Sequence, residues 1–156
     1  MKFITEDRNY DPYLQYLESV KNVMPHHMFE FASNMENHNL TSPNSLHDSW
    51  LEYWRISEID KGDRRVRRLQ IEACFLGPMH DRHIYLHYKN VERHSITVGY
   101  DRAPRHGDLL VHELVVVPEG VYSHELLFAG GAVFTVNFAD FEHRIELLTE
   151  LTRKPD

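Results

Sequence analysis

The chain has 156 residues, of which 42% are hydrophobic and 26% charged, and its formal net charge at pH 7 is −7 with neutral histidine. This length and mixture predict one folded domain and exclude disorder, and no apolar run approaches the roughly 20 residues that cross a bilayer. The excess of 24 acidic over 17 basic residues argues against non-specific nucleic-acid binding and favours a basic protein partner. The sequence does not indicate an oligomeric state.

The beginning of the chain and its cysteine content predict a cytoplasmic protein. Residues 1–8 become charged before an apolar stretch of roughly seven residues could form a secretory signal. Cys74 is the only cysteine, so no intramolecular disulfide is available to stabilise the fold. Both features are typical of a reducing compartment.

Residues 1–39 are predicted to form a helical lead. Asp11 and Pro12 suit a helix start, because Asp can cap the helix and Pro is tolerated in its first turn. Apolar residues recur at helical spacing before and after Pro25, which predicts two short helices with a bend between them. These residues are Tyr13, Tyr16, Leu17, Val20, Val23, Met24, Met28, Phe29, Phe31, Ala32 and Met35. Each apolar stripe needs a sheet to cover.

Residues 46–139 change to a period of two, which predicts an antiparallel sheet. Two successive strands are predicted from the inward series Leu69, Ile71, Ala73, Phe75 and the inward series Ile84, Leu86, Tyr88. A short strand with Ile96, Val98 and Tyr100 is predicted next, followed by an exposed loop over 99–107. The basic residues Lys61, Arg64, Arg65, Arg67 and Arg68 are interpreted as the solvated rim of a hairpin.

Three apolar runs between Leu109 and Phe138 are separated by residues 118–120 and 129–131, which are typical of tight hairpin connections. With three-residue loops the even positions of all three strands share one face. That face comprises Leu110, His112, Leu114, Val116, Tyr122, His124, Leu126, Phe128, Phe134, Val136 and Phe138. In this register 112 opposes 126 and 114 opposes 124, so the two histidines are diagonal neighbours about 7–8 Å apart.

The tail, residues 140–152, is predicted to be a helix. Phe141, Ile145, Leu148 and Leu151 have helical spacing, and Asp140 can cap the helix. An extension of the last strand through His143 is the alternative. Together these elements predict an α+β fold with N-terminal helices packed on a curled, mainly antiparallel sheet of six to seven strands, like a half-barrel or sandwich.

Histidine is abundant, with 12 residues, and the triplet His-Glu-Leu occurs at 112–114 and 124–126. A zincin motif needs a second histidine four positions after the first, but those positions hold Val116 and Phe128. Neighbouring residues of a strand point to opposite faces, so the adjacent glutamates cannot join these histidines at one metal. Two interpretations remain for His112 and His124. They are either hydrogen-bonded core residues or, beside Tyr122, a small-molecule or divalent transition-metal site.

The remaining motifs do not indicate an enzyme. The sequence contains no P-loop, dinucleotide fingerprint, nucleophile elbow or paired-cysteine site, and no catalytic residue is assigned. His83 and His87 are four residues apart on a predicted strand, hence about 13 Å, which is too far for one ion. We therefore expect a non-enzymatic binding protein.

Residues 46–49, Leu-His-Asp-Ser, begin a long strand, and residues 84–91 form a strand of sequence Ile-Tyr-Leu-His-Tyr-Lys-Asn-Val. With the later apolar strands, residues 46–138 resemble a group of small bacterial proteins that includes predicted immunity proteins of toxin–antitoxin-like competition systems. The resemblance implies a protein-binding role. His47 and Asp48 are therefore candidate ligand-binding residues. Alternatively, Asp48 and Ser49 fix the loop before the strand through side-chain to backbone hydrogen bonds.

Overall fold

The computed structural model describes residues 1–4, 7–60, 62, 66–97 and 105–149. Helix α1 spans Asp11–Val20 and helix α2 spans His26–Ser33, and a 3-10 turn follows at Met35–Asn37. The strands are β1 (Trp50–Asp60), β2 (Arg67–Leu76), β3 (Arg82–Thr97), β4 (Leu109–Val117), β5 (Val121–Phe128) and β6 (Val133–Leu147). No helix within these residues has the length and hydropathy needed to cross a membrane.

All six strands belong to one antiparallel sheet in the order β1-β2-β3-β6-β5-β4. The prediction of an α+β fold with a mainly antiparallel sheet is therefore confirmed. The sheet is open, with β1 and β4 at its two edges. The segment before β1 nevertheless contacts the start of β4, because Asp48 N–H donates to the Leu109 carbonyl at 2.9 Å and Leu109 N–H donates to the Ser49 carbonyl at 3.0 Å.

The register of β4, β5 and β6 is the one predicted from parity. His112 pairs with Leu126, Leu114 with His124, and Leu126 in turn with Phe134. Leu110 is the exception. The register shifts between Leu109 and Val111, so Leu109 is buried while Leu110 is partly exposed. One irregular residue at the start of a strand reverses the face locally.

The alternation also breaks in the long β3–β6 pair. Tyr88 pairs with Phe141 and Val91 with Phe138, and all four side chains are buried. Within each strand the two buried residues are three positions apart, whereas strict alternation would place them on opposite faces. Asn90, between them, has a left-handed backbone with φ of 50°. After this break Phe141 and His143 contact Phe31 of α2, with ring centroids 4.8 Å apart in both pairs.

The predicted C-terminal helix over 140–152 is wrong where the structure describes it. β6 continues through Leu147 and pairs along its whole length with β3. The pair at this end of the ladder is Leu147 with Arg82. The reason is that β3 has 16 residues and offers a partner for a long strand. Ile96 belongs to β3 and not to a separate strand. Some residues named in the sequence-based predictions lie outside the described residues, namely Val98, Tyr100, Lys61, Arg64, Arg65 and residues 150–152.

Tyrosines of α1 lie against the edge strand β4. The Tyr13 hydroxyl donates to the Leu114 carbonyl at 2.9 Å and accepts from the Leu114 N–H at 2.8 Å. The Tyr16 hydroxyl accepts from the Val116 N–H at 2.8 Å. These bonds satisfy backbone groups that an edge strand leaves unpaired.

A buried histidine cluster and an adjoining cavity

The two predicted histidines are in direct contact. The side chains of His112 on β4 and His124 on β5 are 1% and 0% exposed. The Nδ1 atom of His112 lies 3.0 Å from the Nε2 atom of His124. The diagonal arrangement predicted from the strand register thus brings the two rings within hydrogen-bond distance.

This contact is the centre of a longer hydrogen-bonded chain. The Tyr88 hydroxyl lies 2.8 Å from His124 Nδ1, and His112 Nε2 lies 3.2 Å from the Asn37 carbonyl oxygen. Because a carbonyl only accepts, His112 must carry its proton on Nε2 and accept at Nδ1. His124 then donates from Nε2 and accepts the Tyr88 proton at Nδ1. Each donor in this hydrogen-bonded series therefore points from Tyr88 towards Asn37, and both imidazoles are neutral.

Two further histidines complete what we call the histidine cluster, His38, His112, His124 and His143. The His38 ring stacks on His112 with centroids 4.2 Å apart and an interplanar angle of 10°, and His38 Nε2 lies 3.0 Å from the Ala32 carbonyl oxygen. Phe31 of α2 contacts the rings of His112, His124 and His143. Four histidines from different parts of the chain therefore share one aromatic environment.

Burial keeps the cluster uncharged at neutral pH. Removal from water lowers the pKa of His38 and His143 to about 4 and that of His124 to about 3, and neighbouring imidazoles add to the effect at His124. The same cause holds the pKa of His112 well below its ordinary value and the pKa of the Tyr88 hydroxyl well above its own. The neutral states agree with the donor directions of the hydrogen-bonded chain.

The glutamates that follow the two histidines face the other side of the sheet, as alternation predicts. Glu113 is buried, and its carboxylate accepts the backbone N–H groups of residues 2–4, with distances of 2.8 Å for the first two. Glu125 forms an ion pair with the Met1 amino group. The repeated His-Glu-Leu triplet therefore has two structural roles on opposite faces.

A metal ion in the histidine cluster would need at least three protein ligands. Among the described residues no group of three or more His, Cys, Asp or Glu side chains is placed to hold a metal ion. Two imidazole nitrogens on one tetrahedral zinc ion would be roughly 3.3 Å apart with the ion between them. The 3.0 Å contact between His112 and His124 is instead a hydrogen bond. A metal at this pair would have to displace the shared proton.

Tyr122, the third residue of the predicted sheet-face site, makes other contacts. Its ring lies 6.2 Å from that of Phe138, and its hydroxyl donates to the Val23 carbonyl at 3.5 Å. Tyr122 is buried on the predicted face. Its hydroxyl contacts the segment after α1 and not the two histidines.

His47 and Asp48, the candidates in the Leu-His-Asp-Ser segment, pair with each other. His47 Nδ1 lies 3.0 Å from an Asp48 carboxylate oxygen, and Asp48 has a left-handed backbone with φ of 61°. Burial lowers the pKa of His47, which the Asp48 carboxylate opposes. The Ser49 hydroxyl donates to the Leu46 carbonyl at 2.5 Å. Ser49 thus fixes the loop as the alternative interpretation predicts, whereas the Asp48 side chain contacts His47.

An open cavity of about 670 Å³ lies between α2, the 3-10 turn and β6. Its lining residues are His27, Glu30, Phe31, Ser33, Asn34, Asn37, Phe141, Glu142 and His143. Three of them, Phe31, Asn37 and His143, also contact or belong to the histidine cluster. The Nε2 atom of His143 is buried and has no hydrogen-bond partner in the described protein. The His143 ring therefore lines the cavity as a neutral imidazole, and solvent does not reach its Nε2 atom.

Carboxylates from both walls surround this cavity. Glu30 of α2 lies 3.1 Å from His26 Nε2, and its side chain is 65% exposed. On β6, Glu142 accepts a short hydrogen bond from Lys89 of β3, which lowers the pKa of this carboxyl, and Asp140 lies 3.1 Å from His27. The rim is therefore negatively charged at neutral pH.

Sequence reasoning missed Tyr88 as a hydrogen-bond donor and missed His38, Asn37 and His143 as part of the site. The period-two alternation of Phe141, His143 and Ile145 was the available signal for His143, since it places His143 on the face of Phe141. His38 and Asn37 follow α2 in a polar segment that has no periodicity. Their burial depends on how this segment folds over β4.

Comparisons of the chain with protein-family models, with curated protein sequences and with solved structures find no match.

Proposed function

We propose that this chain is a non-enzymatic binding protein of immunity type, whose partner is a basic protein. The observation that carries the proposal is the acidic cavity between α2 and β6. The net charge of −7 supports it, because a field of one sign attracts a partner of the other and speeds their encounter. The cytoplasmic location predicted from the sequence is part of the same proposal.

The proposal uses one finer feature of the predicted fold, the packing of the helical lead on the sheet. α2 then forms one wall of the cavity and β6 the other. The contacts of Phe31 with Phe141 and His143 support this packing.

A non-enzymatic role fits the chemistry of the histidine cluster. A general base must reach a substrate proton directly or through one water. His112 and His124 are fully buried, and each of their ring nitrogens takes part in a hydrogen bond of the series from Tyr88 to Asn37. Burial also raises the pKa of the Cys74 thiol to about 11, so the nucleophilic thiolate is scarce at pH 7.

Affinity capture from native cell extract, repeated at several salt concentrations, tests the proposal. We expect an identified protein of high isoelectric point, and after its purification we expect direct binding that weakens as salt rises. Failure to recover any protein at any salt concentration contradicts the proposal. So does a purified partner that is acidic, or one whose affinity does not change with salt.

A second candidate function is a small-molecule or divalent-metal site on the sheet face around His112 and His124. It is supported by the residues that the cavity shares with the cluster, since a ligand in the cavity would contact Phe31 and His143. Elemental analysis of untagged protein tests the metal version. Less than about a tenth of an equivalent of transition metal, with unchanged thermal stability after addition of zinc or nickel, would remove it.

A further inference from the structure

We propose that the histidine cluster is an acid-sensitive latch, whose protonation releases residues 26–47 from the sheet while the six strands stay paired. We call residues 26–47 the α2 segment. His38 belongs to this segment, whereas His112, His124 and His143 belong to β4, β5 and β6. The cluster thus lies at the boundary between the part that separates and the part that remains.

The α2 segment covers the histidines of the sheet. The ring of Phe31 contacts those of His112, His124 and His143, with centroids 4.8–5.8 Å apart. His38 stacks on His112 at 4.2 Å. One local separation, which removes Phe31 and His38 from the sheet, therefore exposes all four histidines.

The chain is held to β4 on both sides of the α2 segment, so the segment can separate without unpairing a strand. Before it, the Tyr13 and Tyr16 hydroxyls bond to the backbone of β4. After it, Asp48 and Ser49 share backbone hydrogen bonds with Leu109 at the start of β4. Local openings between stable elements cost less free energy than global unfolding.

The closed cluster has no place for an added proton. On His112 Nδ1 the proton would face the N–H of His124 across 3.0 Å. On His124 Nδ1 it would displace the bond from the buried Tyr88 hydroxyl, 2.8 Å away. Either site loses a buried hydrogen bond, and a charge on His112 also repels a charge on the stacked His38 ring. Protonation therefore favours the separated state.

Phenols are the other titratable groups in contact with these rings. Tyr10 and Tyr13 contact the His38 ring, and burial raises the pKa of both, as it does for Tyr88 beside His124. All three are neutral in acid. They do not offset an imidazolium charge.

The carboxylates of the packed elements pair with other groups. These pairs are Glu113 and Glu125 with residues 1–4, Glu142 of β6 with Lys89, and Glu30 of α2 with His26. The bound partners direct these carboxylates away from the cluster.

His27 and His47 lie in the α2 segment but outside the cluster. His27 Nε2 lies 3.1 Å from Asp140 of β6, and this exposed contact opposes release. Burial lowers the pKa of His47, but the Asp48 carboxylate, 3.0 Å away, opposes that shift. Both histidines have a carboxylate beside them in the closed state.

Hydrogen exchange of the intact protein between pH 7 and 5, followed by NMR, tests the latch. An imidazole with a pKa of about 4 when closed and 6.5 when open favours opening about 20-fold more at pH 5 than at pH 7. The reporter is the Leu46 amide, which donates to the Asn37 carbonyl at 3.1 Å. We expect its protection factor, the ratio of intrinsic to observed exchange rate, to fall at least about 20-fold over this range.

The amide of Leu86, on the inner strand β3, is the reference for global unfolding. It should remain better protected than the Leu46 amide at pH 5, because the strands stay paired. Equal protection of the two amides at pH 5, or a smaller fall at Leu46, would overturn the inference.

His143→Phe removes one titrating ring whose Nε2 atom has no hydrogen-bond partner in the described protein. We expect the fall at Leu46 to be about 20-fold smaller than in wild type. His38→Phe, which keeps an aromatic ring on His112, should have the same effect. His26→Phe, in the α2 segment but outside the cluster, is the matched control and should keep the full fall. A full fall in both cluster variants would overturn the inference.

Discussion

The hydrogen bond between His112 Nδ1 and His124 Nε2, 3.0 Å long, joins two neutral imidazoles inside the apolar face of the sheet. Its proton direction is set at both ends, by the Tyr88 hydroxyl that can donate and by the Asn37 carbonyl that can only accept. A buried polar group costs free energy unless it is paired, and here each nitrogen of both rings is paired. The two histidines can therefore occupy the core without a metal.

Removal of the donor at the end of this chain tests that account. Tyr88→Phe leaves His124 Nδ1 buried and unpaired, so we expect the free energy of unfolding to fall by about 1–3 kcal/mol. Tyr85→Phe, on the same strand but only half-buried, should cost less than about 0.5 kcal/mol. Urea denaturation of both variants at pH 7.5 measures the difference. Equal stability of the two variants would show that the Tyr88 bond does not support the cluster.

The histidine cluster also predicts loss of stability in mild acid. The folded-state pKa values of His38 and His143, about 4, and of His124, about 3, lie below the ordinary value of 6.5. The unfolded chain therefore binds more protons than the folded chain below pH 6.5, and the stability these neutral groups contribute is lost as pH falls from about 6.5 towards 4. Each such histidine lowers the free energy of unfolding by about 1.4 kcal/mol per pH unit in that window.

Urea denaturation between pH 7.5 and 5 measures this effect. We expect a steep decline below pH 6.5, and a slope smaller by about one proton in His143→Phe, which removes one titrating group. His26→Gln is the control, because His26 is 83% exposed and lies outside the histidine cluster. A free energy of unfolding that stays constant from pH 7 to 5 would contradict the assignment of neutral buried histidines.

The contacts of α1 with the sheet edge give a graded pair of variants. Tyr13 is buried and bonds to both backbone groups of Leu114, whereas Tyr16 is partly exposed and bonds to one group of Val116. We expect Tyr13→Phe to cost about 1–3 kcal/mol and Tyr16→Phe less than about 1 kcal/mol. Hydrogen exchange should accelerate at the amide of Leu114 in the first variant and at that of Val116 in the second. Identical exchange in both variants would argue against this edge contact.

The three-strand register could be predicted from the sequence because period-two alternation and short connections constrain it from local information. The pairing of His112 with Leu126 follows directly from the three-residue connection at 118–120. The irregularity at Leu110 and the break at Asn90 could not be predicted, because each depends on a single residue whose backbone conformation is set by the strands beside it. The wrong C-terminal helix has a similar origin, since the length of β3 decides the conformation of β6.

The candidate site could be predicted only in part for the same reason. His112 and His124 lie on adjacent strands whose register was predictable. His38, His143 and Asn37 reach the cluster through tertiary packing of a polar segment and of β6 after its break. Tyr88 was predicted to face inward, but its hydroxyl partner lies 36 residues away in the chain. Nothing in local sequence indicates that pairing.

Glu113 provides the last prediction, on the face of the sheet opposite His112. Its carboxylate accepts three backbone N–H groups from residues 2–4, and it is 3% exposed. Glu113→Leu removes the two carboxylate oxygens that accept these three bonds and leaves the three donors without this partner. We expect a loss of about 1–3 kcal/mol in the free energy of unfolding and faster hydrogen exchange at the amides of residues 2–4.

Glu92→Leu is the control for this prediction, because Glu92 is an exposed glutamate on β3. It should leave exchange at residues 2–4 unchanged and alter stability by less than about 0.5 kcal/mol. If Glu113→Leu also leaves exchange at residues 2–4 unchanged, this segment is not fixed to β4 by the carboxylate. The ion pair between Glu125 and the Met1 amino group, in the second triplet, would then be a contact that holds this segment.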